Sequence, residues 1–273
     1  MNSKVDASEI VERIGKELKL IGTPVWTLRK NNEIHLNDQD PLPSLENTKR
    51  IYGHIASDDQ QMIQFLEGGH VLATQIANIY KNYSDIPLKE SSILDWGVGC
   101  GRISRHFKDT SNIQITGIDV DPINIEWLQR SSSSGNYKTV DPYEIYIPQQ
   151  TFDLIYSYSV TSHLAAKDTL FWLNNLSKVS TGIMCISTHG FRNTFEHAWW
   201  PKPELLLNYL KKGIVGDGSQ NDDISDVTPK SYYGDYGVTY QHIYEEWAKV
   251  VEIIDVIPMG LGHHDLVVCK SLD

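Results

Sequence analysis

The chain has 273 residues, enough for one large domain or two small ones with a sizeable core, and 24 basic against 35 acidic side chains leave a formal charge of -11. That balance works against a protein built to neutralise nucleic-acid phosphates or an anionic membrane surface. Three widely spaced cysteines, Cys100, Cys185 and Cys269, exclude a disulfide framework and a clustered zinc site, and MNSKVDASEI has no apolar signal core. No stretch approaches the roughly 18 apolar residues of a membrane span. The expectation is a cytoplasmic globular protein with no nucleic-acid partner and no metal.

Residues 1–90 read as a helical extension. Ile10, Val11, Ile14 and Leu18 recur at helical spacing within Ser8–Leu20, and Phe65, Leu66, Leu72, Ile76 and Ile79 do so within Met62–Tyr80. Between them, Asn31–Asn47 reads as loop. From Ser91, short apolar runs alternate with helical segments: SILDW and a helix from about Cys100, then IQITGIDV and a helix capped by Asp121 with Pro122 first. FDLIYSYS with a helix after Asp168, and then GIMCIST, complete the series. Such alternation predicts a doubly wound, mostly parallel α/β sheet. Residues 190–238 interrupt it with a predicted helix at Pro203–Lys212 and a long polar loop. A helix from about Thr239 to Lys249 and strands VVEIIDVIP and HDLVVCK close the chain, the last strand antiparallel.

The strongest chemical signal is Ile93-Leu94-Asp95-Trp96-Gly97-Val98-Gly99-Cys100-Gly101-Arg102. A buried strand runs straight into alternating glycines, which let backbone approach a ligand at the carboxyl end of a sheet. Arg102 stands where a dinucleotide fingerprint has its last glycine, which speaks against a nicotinamide-dependent oxidoreductase. Asp119 ends the next strand, placed to accept hydrogen bonds from ribose hydroxyls. A tight turn with an incidental acid is the bland alternative, but strand, loop, helix, strand and acid in this order favour adenosine binding.

With ILDWGVGCGR, GIDVDP, FDLIYSYSVTSHL and HDLVVCK in place, residues from about Ser91 to Ser271 resemble class I S-adenosylmethionine-dependent methyltransferases. A looser similarity, through QFLEGG and TYQHIYEEWAKVVEIIDVIPMG, is to methyltransferases associated with sugar transferases and polysaccharide assembly. The resemblance implies a Rossmann-like seven-stranded sheet over 91–273, with an acceptor-side insertion at about 190–238 and the 1–90 extension as a cap. It implies S-adenosyl-L-methionine as cofactor and S-adenosyl-L-homocysteine as product. Asp95, Gly97, Gly99 and Gly101 would surround the methionine moiety, Asp119 would hold the ribose, and Val120 would flank the adenine. Asp141 is a candidate polar contact to adenine, Ser157 a candidate backbone contact, and Arg102 a candidate partner of the cofactor carboxylate. For Asp141-Pro142-Tyr143 a plain turn is the other reading.

An activated methyl group needs alignment with an acceptor, exclusion of water and, for a hydroxyl acceptor, a base. His163 and His189 each follow a strand at the cofactor edge and are the candidates; packing is the competing role for each. His263-His264-Asp265 is not read as a metal motif, because adjacent strand residues point to opposite faces. Phe191, Phe195, Trp199, Trp200, Tyr232, Tyr233, Tyr236 and Tyr240 give the insertion aromatic faces suited to a sugar, and Asp217–Asp226 disfavours an anionic one. The expected function is O-methylation of a sugar, glycan or related small metabolite. The alternatives are N- or O-methylation of a non-sugar, or an adenosine-ligand-binding protein without catalysis.

Overall fold

The computed structural model describes residues 42–52, 59–107, 113–132, 135–144, 148–196, 209–216, 224–229 and 232–272. Residues 1–41, with the predicted helix at Ser8–Leu20, lie outside the described residues.

Two helices precede the sheet. α1 (Leu45–Tyr52) begins earlier than the predicted loop allowed, because Ser44 Oγ accepts from the Asn47 amide at 3.2 Å and caps the first turn. α2 (Asp59–Tyr83) carries Leu72, Ala73, Ile76 and Tyr80 into the core against one sheet face. The strands are β1 (Ser92–Trp96), β2 (Gln114–Asp119), β3 (Asn136–Thr139), β4 (Phe152–Ser157) and β5 (Ser180–Thr188), with β8 (Glu252–Leu261) and β9 (His264–Lys270). They form one sheet in the order β3-β2-β1-β4-β5-β9-β8. β1 to β5 pair in parallel, while β9 runs antiparallel to both neighbours, as the sequence pattern predicts.

α3 (Pro122–Ser131) is capped by Asp121, whose side chain accepts from the Ile123 amide, and Pro122 takes the first position. α4 (Ala166–Ser177) buries Trp172, Leu173 and Leu176 on the other face. The helix expected from about Cys100 is instead turns followed by a single 3₁₀ turn, Ser104–Phe107. Left-handed backbone at Gly97, Gly99 and Gly101 keeps the chain out of helical geometry there.

In the insertion, α5 (Phe191–Glu196) precedes a two-stranded ribbon of β6 (Ile214–Gly216) and β7 (Tyr236–Val238). Of the predicted helix Pro203–Lys212, residues 209–212 are helical and the remainder lies outside the described residues. The helix expected at Thr239–Lys249 is α6 (Tyr240–Glu245), capped by Thr239, and a 3₁₀ turn, Trp247–Lys249. No described helix is long and apolar enough to cross a membrane.

Candidate active site

The strand order decides the geometry. β1 sits mid-sheet, so the tips of β2 and β3 lie on one side of its glycine loop and those of β4 and β5, with the start of β9, lie on the other. A cavity of about 640 Å³ spans both halves, within the roughly 300–1,000 Å³ of pockets that enclose small ligands.

On the first side, Gly97 and Val98 both donate their amides to the Ile118 carbonyl, at 2.8 and 3.1 Å, which ties the loop to β2. A Cβ on Gly97 would overlap Val160, and one on Gly99 would stand 2.7 Å from Ile51 Cδ1, both walls of the cavity. Asp119 accepts from the Gly99 amide at 2.7 Å through one oxygen and from the Asp121 amide at 2.9 Å through the other. The carboxylate is thereby aimed, and it keeps acceptor capacity for a ligand donor. Burial lifts Asp119 to about 6, against the pull of its backbone donors. Deeper in the wall, burial lifts Asp95 to about 7; the Tyr156 hydroxyl, donating at 2.7 Å, opposes this and the charge of Asp119 adds to it. Arg50 of α1 closes this half, donating from Nε to Asp121 at 2.7 Å and from its two terminal nitrogens to Asp226 at 3.0 Å.

On the second side the insertion is stitched to both candidate bases. Gly234 donates its amide to the His163 carbonyl at 3.0 Å and Val238 donates to the His189 carbonyl at 2.9 Å. The His163 ring stacks on Tyr233 at 4.5 Å. Its Nδ1 faces the Gly234 carbonyl at 2.8 Å and Asp235 Oδ1 at 3.1 Å. Both partners only accept, so in the neutral ring Nδ1 carries the proton and Nε2 keeps its lone pair. That Nε2 lies 3.3 Å from Ser159 Oγ, and Ser159 holds a φ of 62°, a left-handed conformation that a non-glycine residue adopts at some cost. His189 is placed differently: its Nε2 meets His264 Nε2 at 3.1 Å, and His264 stacks on Tyr158 at 4.7 Å.

The structure gathers Asp95, Gly97, Gly99, Arg102, Asp119 and Val120 along the first half of the cavity and His163 and His189 along the second. Three other sequence candidates are not brought there. Asp141 is exposed and accepts from the Tyr143 amide at 2.8 Å, as a turn residue does, while its neighbour Val140 faces the cavity. Ser157 is fully buried in β4 below the rim. Gly101 is packed under Leu128, 2.8 Å from where its Cβ would be. Arg102 lines the cavity with its Nε donating to the Phe65 carbonyl at 3.0 Å. Of the insertion aromatics, Tyr232, Tyr233 and Tyr236 line the cavity and Phe191 and Tyr240 are exposed; Trp199, Trp200 and the Phe195 side chain lie outside the described residues. Asp217–Asp223 also lie outside them. Sequence reasoning missed Arg50, Asn193, Asp235 and His264. The His263-His264 pair was the one visible signal: its adjacency argued against a metal site, not against one imidazole lining a pocket.

Residues 93–181, from β1 to the start of β5, match the family model of a methyltransferase domain. No curated protein matches the sequence significantly. Among solved structures, DesVI of Streptomyces venezuelae is similar at 11% identity and a TM-score of 0.51, over 73% of this chain and 92% of that one. The magnesium protoporphyrin IX methyltransferase of Synechocystis PCC 6803, solved with S-adenosylhomocysteine, is similar at 15% identity and a TM-score of 0.50, over 83% and 94%. A DhpI complex with S-adenosylhomocysteine gives 8% and 0.51, over 83% and 93%. At these identities the likeness is one of fold. The residues present fit a sulfonium nucleoside: a glycine cradle that side chains would fill, an aimed carboxylate with spare acceptor capacity, and a second buried carboxylate whose ionised form a cation favours.

Proposed function

Given an S-adenosylmethionine-dependent methyltransferase, we propose that its methyl acceptor is a hydroxyl oxygen on a neutral sugar, glycan or related small metabolite. His163 carries this reading: a ring fixed at Nδ1 by two acceptors presents a basic Nε2 to the half of the cavity opposite the cofactor cradle. His189 is the weaker candidate because its Nε2 is held at 3.1 Å by another imidazole nitrogen, that of His264, whereas the Nε2 of His163 faces the Ser159 hydroxyl at 3.3 Å, a group that can rotate aside.

The cofactor, when bound, supplies an activated methyl group on a sulfonium and leaves as the thioether. Gly97 and Gly99 would admit the methionine moiety, Asp95 would offset its positive charge, Asp119 would accept from the ribose hydroxyls, and Val120 and Val140 would flank the adenine. Arg102 is the partner proposed for the cofactor carboxylate. His163 Nε2 would take the proton of the acceptor hydroxyl as that oxygen is methylated. Asp235 then faces the imidazolium and stabilises it. The only arginines along the described walls, Arg50 and Arg102, belong to the cofactor half, so the acceptor half favours a neutral molecule.

Calorimetry with S-adenosylmethionine, S-adenosylhomocysteine and NAD, followed by transfer of labelled methyl to monosaccharides, sugar nucleotides, amines and polyanions, tests the proposal. Methylated hydroxyls on neutral sugars support it. Transfer confined to amines, or efficient methylation of a polyanion, overturns it.

A further inference from the structure

Asn193, on α5, is 4% exposed and lines the cavity beyond His189, yet its Oδ1 has no hydrogen-bond partner. A buried amide oxygen left unpaired destabilises the free protein, and most such groups in folded chains are satisfied. The neighbouring polar groups are already engaged. Thr194 Oγ1 donates to the Gly190 carbonyl at 2.8 Å, and His189 Nε2 is held against His264. Thr194 also packs where a side chain on Gly237 would otherwise stand, which fixes α5 against β7 and holds Asn193 at the wall.

Resting on the reading above, we propose that Asn193 is a specificity-determining residue that accepts a hydrogen bond from a second hydroxyl of the methyl acceptor. One hydroxyl faces His163 and is methylated; another satisfies Asn193. The acceptor class is then narrower than any alcohol: it is a neutral polyol ring, with C–H faces for Tyr233 and Tyr236 and hydroxyls along its edge. A site built to pair a substrate hydroxyl discriminates strongly against an analogue lacking it, because the protein group is left unpaired.

The test is calorimetry on the full chain loaded with S-adenosylhomocysteine, using myo-inositol as the polyol probe and cyclohexanol as its mono-hydroxyl counterpart, with Asn193→Leu and Asn193→Ala beside the wild type. The expected result is a preference of about tenfold or more for myo-inositol in the wild type, about one hydrogen bond's worth, lost in both variants. Affinity for S-adenosylhomocysteine should not change, and the melting temperature should stay the same or rise, because an unpaired polar group has been removed. Equal preference in wild type and variants, no preference in the wild type, or a fall of several degrees in both variants would overturn the assignment. If S-adenosylhomocysteine itself does not bind the wild type, the methyltransferase reading fails first, and that separate titration distinguishes the two failures.

Discussion

Tyr156 donates its hydroxyl to Asp95 Oδ2 at 2.7 Å, and both side chains are buried beneath the glycine loop. The pair places an acid poised between its two charge states directly beside the cavity proposed to receive a cation. Asp119, whose charge raises Asp95 further, stands at the next strand tip.

Asp95 at about 7 and Asp119 at about 6 lie above an ordinary carboxylate near 4, so between those values the folded protein binds more protons than the unfolded chain. Their contribution to stability is therefore present below about pH 4 and lost as pH rises through 6 to 7. Denaturant titrations of the ligand-free protein should show stability falling from pH 5 to pH 8, and Asp95→Asn should flatten that slope. Affinity for S-adenosylmethionine should change the opposite way, rising across the same window as the carboxylates ionise. An unchanged stability slope in Asp95→Asn would remove Asp95 as its source.

Asp119→Ala should weaken S-adenosylhomocysteine binding by at least about tenfold, through lost hydrogen bonds to ribose. It also leaves the amides of Gly99 and Asp121 without their acceptor, so stability should fall by about 1–3 kcal/mol. Calorimetry and thermal melting read the two effects separately, and wild-type affinity in the variant would exclude Asp119 from the ribose role.

His163→Gln should lower kcat by about 10²–10⁴-fold with little change in cofactor affinity, as expected for loss of a general base. Asp235→Asn should lower kcat by less, because a neutral amide in place of the carboxylate no longer faces the imidazolium with a negative charge. If His189→Gln abolishes turnover while His163→Gln retains it, the two roles are exchanged.

Adjacent glycines in α2 should respond differently. A Cβ on Gly69 would run into the Arg102 backbone carbonyl, which cannot swing away, so Gly69→Ala should cost about 1–3 kcal/mol of stability. On Gly68 the Cβ would meet only the guanidinium tip of Arg102, at 2.6 Å, and the side chain can turn aside. Gly68→Ala should therefore melt near the wild type while weakening cofactor binding, since Arg102 lines the cavity. Equal melting temperatures for the two variants would count against this packing.

Much of the first half of the cavity was legible because it is local. Asp95 lies near the end of one strand, Gly97 and Gly99 follow it and Asp119 ends the next, and parallel pairing of β1 with β2 brings strand tips together whatever else the chain does. Asp141 shows the limit: one step along the chain exchanges inward Val140 for an outward acid, and only the course of the backbone after β3 decides which faces the ligand. The expected helix after Cys100 failed for a related reason, since helical periodicity carries no trace of the left-handed glycines that override it.

The sequence by itself determined the α/β class, the antiparallel final strand, the glycine cradle and its acidic partner, because alternating apolar runs and glycine spacing are properties of neighbouring residues. The tertiary structure decided the other half of the cavity. Asp235 reaches His163 across 72 residues, His264 reaches His189 across 75, and Asn193 lines the same wall with an unpaired oxygen. Those meetings depend on the insertion pairing back onto the ends of β4 and β5 and on an antiparallel β9 returning its first residues to the same edge, long-range contacts that no local pattern of residue types encodes.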